Sequence, residues 1–122
     1  MKAKDITQQL RAVETYIVRE DAEIEHLLTD SRKISDEAHS LFFAIPTKHN
    51  TGCRYIDDLY RRGVRNFVVP IDTDESYRTQ FQRCGEANFW YVKNVVLALQ
   101  QVAASRRRQF QIPMVGITGS NG

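Results

Sequence analysis

Three glycines, Gly116, Gly119 and Gly122, stand three apart at the end of the 122-residue sequence, after the apolar residues Met114 and Val115. Small residues opening from a buried strand let backbone N–H groups approach phosphate oxygens and form an anion nest. The full phosphate-loop pattern needs a lysine and then serine or threonine directly after the last glycine, and the sequence ends before those positions. It also departs from strict G-x-x-x-x-G, because Ile117 stands five before Gly122. Spacing favours a phosphate loop over a plain turn, and both readings stay open. Lacking its lysine and a following helix, the loop is expected to bind ATP poorly or not at all. Natural domains seldom end on such a loop, so the chain is expected to be a piece of a longer protein.

Other residue types could do chemistry earlier in the sequence. Asp30-Ser31-Arg32 reads as a polar turn, in which Ser31 is either a ligand hydroxyl or a turn residue. Arg32 reads first as the partner of a neighbouring acid, given the fit of guanidinium to carboxylate. His49, in the loop-forming segment 46–52, is equally a ligand contact or solvated surface. His26 and His39 lack metal-site spacing with the two cysteines, Cys53 and Cys84, so no zinc site is expected. Asp57 and Asp58 read as helix-surface charges rather than acid–base groups. Arg106, Arg107 and Arg108 read as a solvated helix end, with an anion-binding patch as the alternative.

These residues must be positioned by regular elements. Asp5 followed by Gln8 resembles a capping box, and Ile6, Leu10, Val13 and Ile17 share one helical face. That helix is expected to fade near Thr15, where residues 16–18 fit an extended segment equally well. Residues 24–29 predict a short strand, and residues 41–45 a strand buried on both faces. A helix with Ile56, Leu59 and Tyr60 on one face should stop at Gly63. Its i,i+4 pairs, Asp57 with Arg61 and Asp58 with Arg62, contribute a few tenths of a kcal/mol each. Residues 66–71 predict a strand, 72–76 a turn, 77–84 a short helix and 88–93 a third buried strand. Phe89, Trp90 and Tyr91 alternate faces there, so their bulk is packing. Asn94 caps a helix whose buried face is Val95, Leu99, Val102 and Ala103. A final strand is expected at 114–118. This alternation argues an α/β sandwich with a largely parallel or mixed sheet.

Composition excludes several classes. Hydrophobic residues are 42% and charged residues 26% of the chain, as in an ordinary globular protein rather than a disordered one. Lys+Arg 17 against Asp+Glu 15 leaves a net charge of +2, so neither a nucleic-acid nor a membrane-surface partner is expected. No apolar run approaches the ~18 residues of a membrane span, and no signal peptide is visible. Two cysteines suit a reducing compartment, and a cytoplasmic location is expected.

Thr118, Gly119, Ser120, Asn121 and Gly122 resemble the start of the T-G-[ST]-N-G-K-[ST] loop of the Mur ligases, the ATP-dependent amide-bond-forming enzymes of peptidoglycan synthesis. Asp30-Ser31-Arg32-Lys33-Ile34 and Leu41-Phe42-Phe43-Ala44-Ile45 resemble the D-S-R-x-[VI] and L-F-x-A-[IL] signatures of that family's N-terminal domain. Gly52, Tyr55 and Ile56, then Gly63-Val64 and Phe67-Val68-Val69, are similar to its G-x-x-[FY]-I…G-[AV]…V-V segment. Each piece is weak alone; together they run in order from Asp30 to Gly122. Ala98-Leu99-Gln100, Ala103, Arg107, Phe110 and Pro113 resemble the approach to the loop in the D-alanyl-D-alanine-adding branch, rather than in the diamino-acid-adding one. The wording of 47–54 also looks like a subset fused to alanine racemase.

The resemblance implies a three-layer α/β sandwich with a small mixed or parallel sheet. It implies a UDP-binding domain over 1–112 and the first strand and loop of a central ATPase domain over 113–122. Ser31 and Arg32, with Lys48, His49 and Asn50 of the following loop, would hold the UDP end of UDP-N-acetylmuramoyl-tripeptide. The full enzyme would use ATP and Mg²⁺ and accept D-alanyl-D-alanine, while these residues carry no catalysis and no metal. Thr47 stands where the family usually has glycine, Thr51 where it usually has aspartate and Cys53 where histidine is common, so the loop is expected to be shaped differently. Two alternatives remain: the same domain of the diamino-acid-adding branch, and a non-enzymatic α/β binding module, nucleic-acid-directed through Arg106, Arg107 and Arg108.

Overall fold

Ser40–Phe43, Asn66–Pro70 and Asn88–Val92 are buried along their whole lengths, as strands covered on both faces must be. The computed structural model describes residues 1–32, 34–47 and 51–111, with side chains through Arg106. In chain order the elements are α1 (Ala3–Gln9), β1 (Glu14–Tyr16), β2 (His26–Leu28), β3 (Ser40–Phe43), α2 (Ile56–Arg62), β4 (Asn66–Pro70), α3 (Glu75–Gln82), β5 (Asn88–Val92) and α4 (Val95–Gln111). Short 3₁₀ turns at Glu37–His39 and Gly52–Tyr55 lead into β3 and α2. The sheet order is β1-β5-β4-β3-β2. β2 to β5 are mutually parallel, and β1 pairs antiparallel with β5.

Alternation along the strands sends side chains to two cores, which makes the molecule a three-layer sandwich. Phe42, Phe67, Val69, Phe89 and Tyr91 face α2 and α3, joined by Ile56, Leu59 and Phe81. Leu41, Phe43, Val68, Trp90 and Val92 face α1 and α4, joined by Ile6, Leu10, Val95, Ala98 and Val102. On the first face the register aligns Phe42 with Phe67 and Phe67 with Phe89. The rings touch edge-to-face at 6.4 Å and stacked at 5.2 Å, and Phe81 of α3 stacks on Phe89 at 5.1 Å. On the second face the Trp90 indole N–H donates to the Thr7 hydroxyl at 2.9 Å, satisfying a polar atom that burial would otherwise strand.

Two amides close the N-terminal edge of the sheet. Asn66 and Asn88 are buried and directly opposed in register. Asn88 Nδ2 donates to Asn66 Oδ1 and to the Arg19 carbonyl, each at 3.0 Å. Asn88 Oδ1 accepts from the N–H groups of Val18 at 2.7 Å and Arg19 at 3.0 Å. Asn66 Nδ2 reaches the Ser40 carbonyl at 3.3 Å. This network ties β3, β4, β5 and the chain leaving β1 together.

Several boundaries differ from the sequence reading. Lys2 occupies the cap of α1, and Asp5 is its third helical residue, whose Oδ2 accepts from the Lys2 backbone N–H at 2.8 Å. The helix stops at Gln9, because residues 14–16 are taken up by the edge of the sheet. Val13 is consequently 49% exposed instead of continuing the apolar face. α3 begins two residues before Tyr77, and in α4 Ala98 is buried while Leu99 packs half-buried against the same core. The strands expected over 24–29, 66–71 and 88–93 are present with trimmed ends, and the one expected over 41–45 begins one residue earlier and ends at Phe43. Both pairs on α2 form, Arg61–Asp57 at 2.6 Å and Arg62–Asp58 at 3.8 Å. Asn94 caps α4 through its Oδ1, which accepts from the Leu97 N–H at 3.0 Å. Arg106, Arg107 and Arg108 lie within the last two turns of that helix. The expected final strand, and the domain boundary at 112/113, lie outside the described residues.

Replacing Asn88 by leucine would leave Asn66 Oδ1 buried without a partner and strip the Val18 and Arg19 backbone groups of theirs. It is expected to lower unfolding stability by about 2–3 kcal/mol, read from urea titration. Asn88→Asp keeps the two acceptor contacts but sets a carboxylate oxygen against Asn66 Oδ1 and the Arg19 carbonyl, so it should destabilise at least as much.

Candidate functional site

In a parallel sheet the loops leaving the C-terminal ends of the strands share one edge, the usual place for a ligand. Here the loop after β2 contains Asp30, Ser31 and Arg32, and the chain leaving β3 runs toward the 3₁₀ turn Gly52–Tyr55 and α2. β2 and β3 are adjacent, so their loops emerge side by side.

Asp30 organises the first loop. Its Oδ1 accepts from the Arg32 backbone N–H at 2.8 Å, an Asx turn, and its two oxygens take Arg32 Nε and Nη2 at 3.1 Å each. Arg32 is thus an ion-pair partner in this structure, as its residue type suggested. Its side chain is 85% exposed, and the hydrogen bond to Asp30 holds the guanidinium above its ordinary pKa. From the other side, Arg62 Nη1 of α2 donates to the Ser31 carbonyl at 2.9 Å. The turn is therefore fixed through its backbone at both flanks. The half-buried Ser31 hydroxyl makes no hydrogen bond among the described residues.

The second loop depends on a close backbone approach. A Cβ on Gly52 would lie 2.7 Å from Ala44 Cα and 2.8 Å from Ile45 N. Those are backbone atoms that cannot yield, so only glycine lets the 3₁₀ turn lie against the exit of β3. Thr51 caps this turn, its hydroxyl accepting from the Cys53 N–H at 3.3 Å. The departure at Thr51 thus keeps a side-chain acceptor where the resemblance implies an aspartate. Cys53 is buried in the core beneath α2, with Sγ 3.7 Å from Thr73 Oγ1. Burial pushes its thiol upward in pKa, as it does for Cys84. Beyond Cys53, the Arg54 guanidinium lies 5.5 Å from the centre of the Tyr55 ring, which is 38% exposed. At the end of α2, Gly63 takes φ 115°, closing the helix with Val64 N–H bonded to the Leu59 carbonyl at 3.0 Å.

The structure therefore brings Ser31 and Arg32 beside Arg62. Lys48, His49 and Asn50 lie outside the described residues, as do Thr118, Gly119, Ser120, Asn121 and Gly122. Sequence reasoning placed Arg62 only in a helix-surface pair, and its contact with Ser31 spans 31 residues, so no local pattern carried it. A separate cavity of about 370 Å³ opens between β1, β5 and α3, floored by Tyr16, Phe89 and Tyr91. Its cation, Arg78, is engaged by the Ile71 carbonyl at 2.9 Å, by Glu14 at 3.5 Å and by the Tyr91 ring at 4.2 Å, which leaves little for an anion.

With this geometry in hand, comparison with solved structures finds a match to MurF from Acinetobacter baumannii, in a crystal structure. The fold is MurF-like. The TM-score is 0.63 at 22% sequence identity, over 88% of this chain and 21% of the MurF chain. The chain thus spans about a fifth of the length of the protein it matches. At that identity the likeness to MurF is one of fold. No family model and no curated protein matches the sequence. Among the described residues, no helix is long and apolar enough to cross a membrane.

Two outcomes test this geometry. Gly52→Ala is expected to lower stability by about 1–3 kcal/mol through overpacking, measured by thermal and urea unfolding. Both thiols should react with iodoacetamide at least ~10-fold more slowly in the native protein than in denaturant, followed by mass spectrometry.

Proposed function

We propose that the chain is the nucleotide-anchoring N-terminal domain of a Mur ligase, of the branch that joins D-alanyl-D-alanine to UDP-N-acetylmuramoyl-tripeptide. The observation that carries this reading is the Asp30-Ser31-Arg32 turn. It is fixed through its backbone at the C-terminal edge of β2, its serine hydroxyl unengaged among the described residues, beside the 3₁₀ turn after β3, in a MurF-like fold. Uracil presents fixed donors and acceptors that a hydroxyl, an amide and backbone groups match. A pyrophosphate favours neighbouring guanidinium and ammonium groups. Ser31 is the hydroxyl partner of the nucleotide, Lys48 and Arg32 (85% exposed although paired with Asp30) are the cations, and His49 and Asn50 complete the loop contacts.

In this reading residues 1–112 form the UDP-binding domain, and 113–122 begin a central ATPase domain. The full enzyme, cytoplasmic like its nucleotide-linked substrate, requires ATP and Mg²⁺ to activate the tripeptide carboxylate as an acyl phosphate. D-alanyl-D-alanine supplies the attacking amine. The residues of this chain do none of that chemistry. They hold a remote part of the substrate, whose binding energy positions the reacting end.

Calorimetry and amide NMR shifts with UDP-N-acetylmuramic acid test the reading. The expected result is binding with shifts centred on 30–32 and 44–56, weakened roughly 3–10-fold by Ser31→Ala, the effect of one hydrogen bond. Equal affinity in Ser31→Ala, or shifts confined to the cavity between β5 and α3, would count against it. Salt-dependent binding of nucleic acid with no response to the nucleotide sugar would replace it.

A further inference from the structure

The N-terminal ends of β2 and β3, at the opposite edge of the sheet from Ser31, gather two imidazoles and two carboxylates. His39 Nδ1 lies 2.8 Å from Asp36 Oδ2 and 3.7 Å from Glu25 Oε2. The donor atoms of Glu25, Asp36 and His39 all fall within 4.8 Å of one another. His26 Nε2 lies 4.0 Å from the same Asp36 oxygen. A simple His39–Asp36 ion pair accounts for the shortest of these distances. It does not account for a second carboxylate and a second imidazole converging on the same two atoms.

The backbone beneath the cluster is built independently of these side chains. Glu25 N–H donates to the His39 carbonyl at 2.8 Å, and His39 N–H to the Asp36 carbonyl at 3.3 Å. The Ser40 hydroxyl donates to the Asp36 carbonyl at 2.6 Å. The three segments that supply the donors are therefore held together before any ion arrives, which is the preorganisation a ligand site needs. The four side chains themselves are 37–59% exposed, so they can rotate without disturbing the core.

We propose that Glu25, Asp36 and His39, with His26 beside them, bind a divalent transition-metal cation of the zinc type, water completing its coordination. Mixed imidazole and carboxylate donors suit Zn²⁺, whereas Mg²⁺ and Ca²⁺ take oxygen. Metal–ligand bonds of about 2.0–2.2 Å in a tetrahedron place donors roughly 3.3–3.5 Å apart. The 3.7 Å separation contracts to reach that, and the 2.8 Å hydrogen bond opens when His39 Nδ1 gives up its proton to solvent and turns its lone pair to the metal. The site lies at the other end of β2 and β3 from the nucleotide contacts, so it stands or falls independently of the proposed function.

The test is calorimetry of the chain with ZnCl₂ at neutral pH in a non-chelating buffer, with Co²⁺ absorption reporting coordination geometry. One equivalent of Zn²⁺ is expected to bind, MgCl₂ to give no comparable signal, and the cobalt form to show tetrahedral d–d bands. His39→Ala and Asp36→Asn should each weaken binding at least ~10-fold, and a Cys53→Ser/Cys84→Ser variant should retain it. Glu25→Gln, at the most exposed of the four positions, should weaken binding without altering the urea midpoint, so a folding defect elsewhere would not be mistaken for ligand loss. Absence of stoichiometric binding, or unchanged affinity in both His39→Ala and Glu25→Gln, overturns the proposal.

Discussion

The pair of buried amides at Asn66 and Asn88 is the constraint on which the rest of the molecule hangs. Strand pairing alone tolerates slippage, but a side-chain amide in an apolar interior must find its partners or forfeit ~1–3 kcal/mol for each group left alone. Asn88 meets Asn66 only when β4 and β5 are in one register, and that register sets Phe67 against Phe89. The aromatic row from Phe42 to Phe81 follows, and with it the position of α3. The same amide captures the backbone at Val18 and Arg19, so the excursion after β1 returns to the sheet at a defined point.

A register pinned at one edge is transmitted to the other. Strands of three to five residues are short and stiff, rising ~3.3 Å per residue. The loops leaving β2 and β3 therefore emerge with a fixed offset. What each loop then does is local chemistry. Asp30 folds its turn by accepting from the backbone two residues on, Arg62 clamps that turn from α2, and Gly52 removes the one carbon that would hold the second loop away. The Ser31 hydroxyl, unengaged among the described residues, thus sits on a backbone fixed from both flanks. The imidazole–carboxylate cluster occupies the opposite ends of β2 and β3, so two separate sets of polar groups are mounted on one pair of strands.

The strands read at 41–45, 66–71 and 88–93 were legible because apolar runs of that length must be covered on both faces. The α2 stop at Gly63, the Asn94 cap, the paired charges of α2 and the alternation of Phe89, Trp90 and Tyr91 were equally legible, because each rests on contacts within a few residues. Asp30-Ser31-Arg32 was readable as a turn for the same reason. The amphipathic spacing that runs from Ile6 to Ile17 misled, because β5 offers residues 14–16 unpaired backbone groups and ladder hydrogen bonds outweigh a weak helical preference. Nothing in the sequence distinguished Asn66 and Asn88 from surface asparagines.

By itself, then, the sequence determined the alternation of elements, the layer architecture and the residue types available at each loop, since these follow from apolar periodicity and from turn and cap chemistry over short spans. Only the tertiary structure decided which strands neighbour which, that Arg62 closes on Ser31, that the Gly52 Cα packs on the backbone at Ala44, and that Glu25, Asp36 and His39 meet. Those contacts join residues far apart along the chain. Their energies depend on geometry created only once the sheet has closed, and no local pattern of residues encodes that geometry.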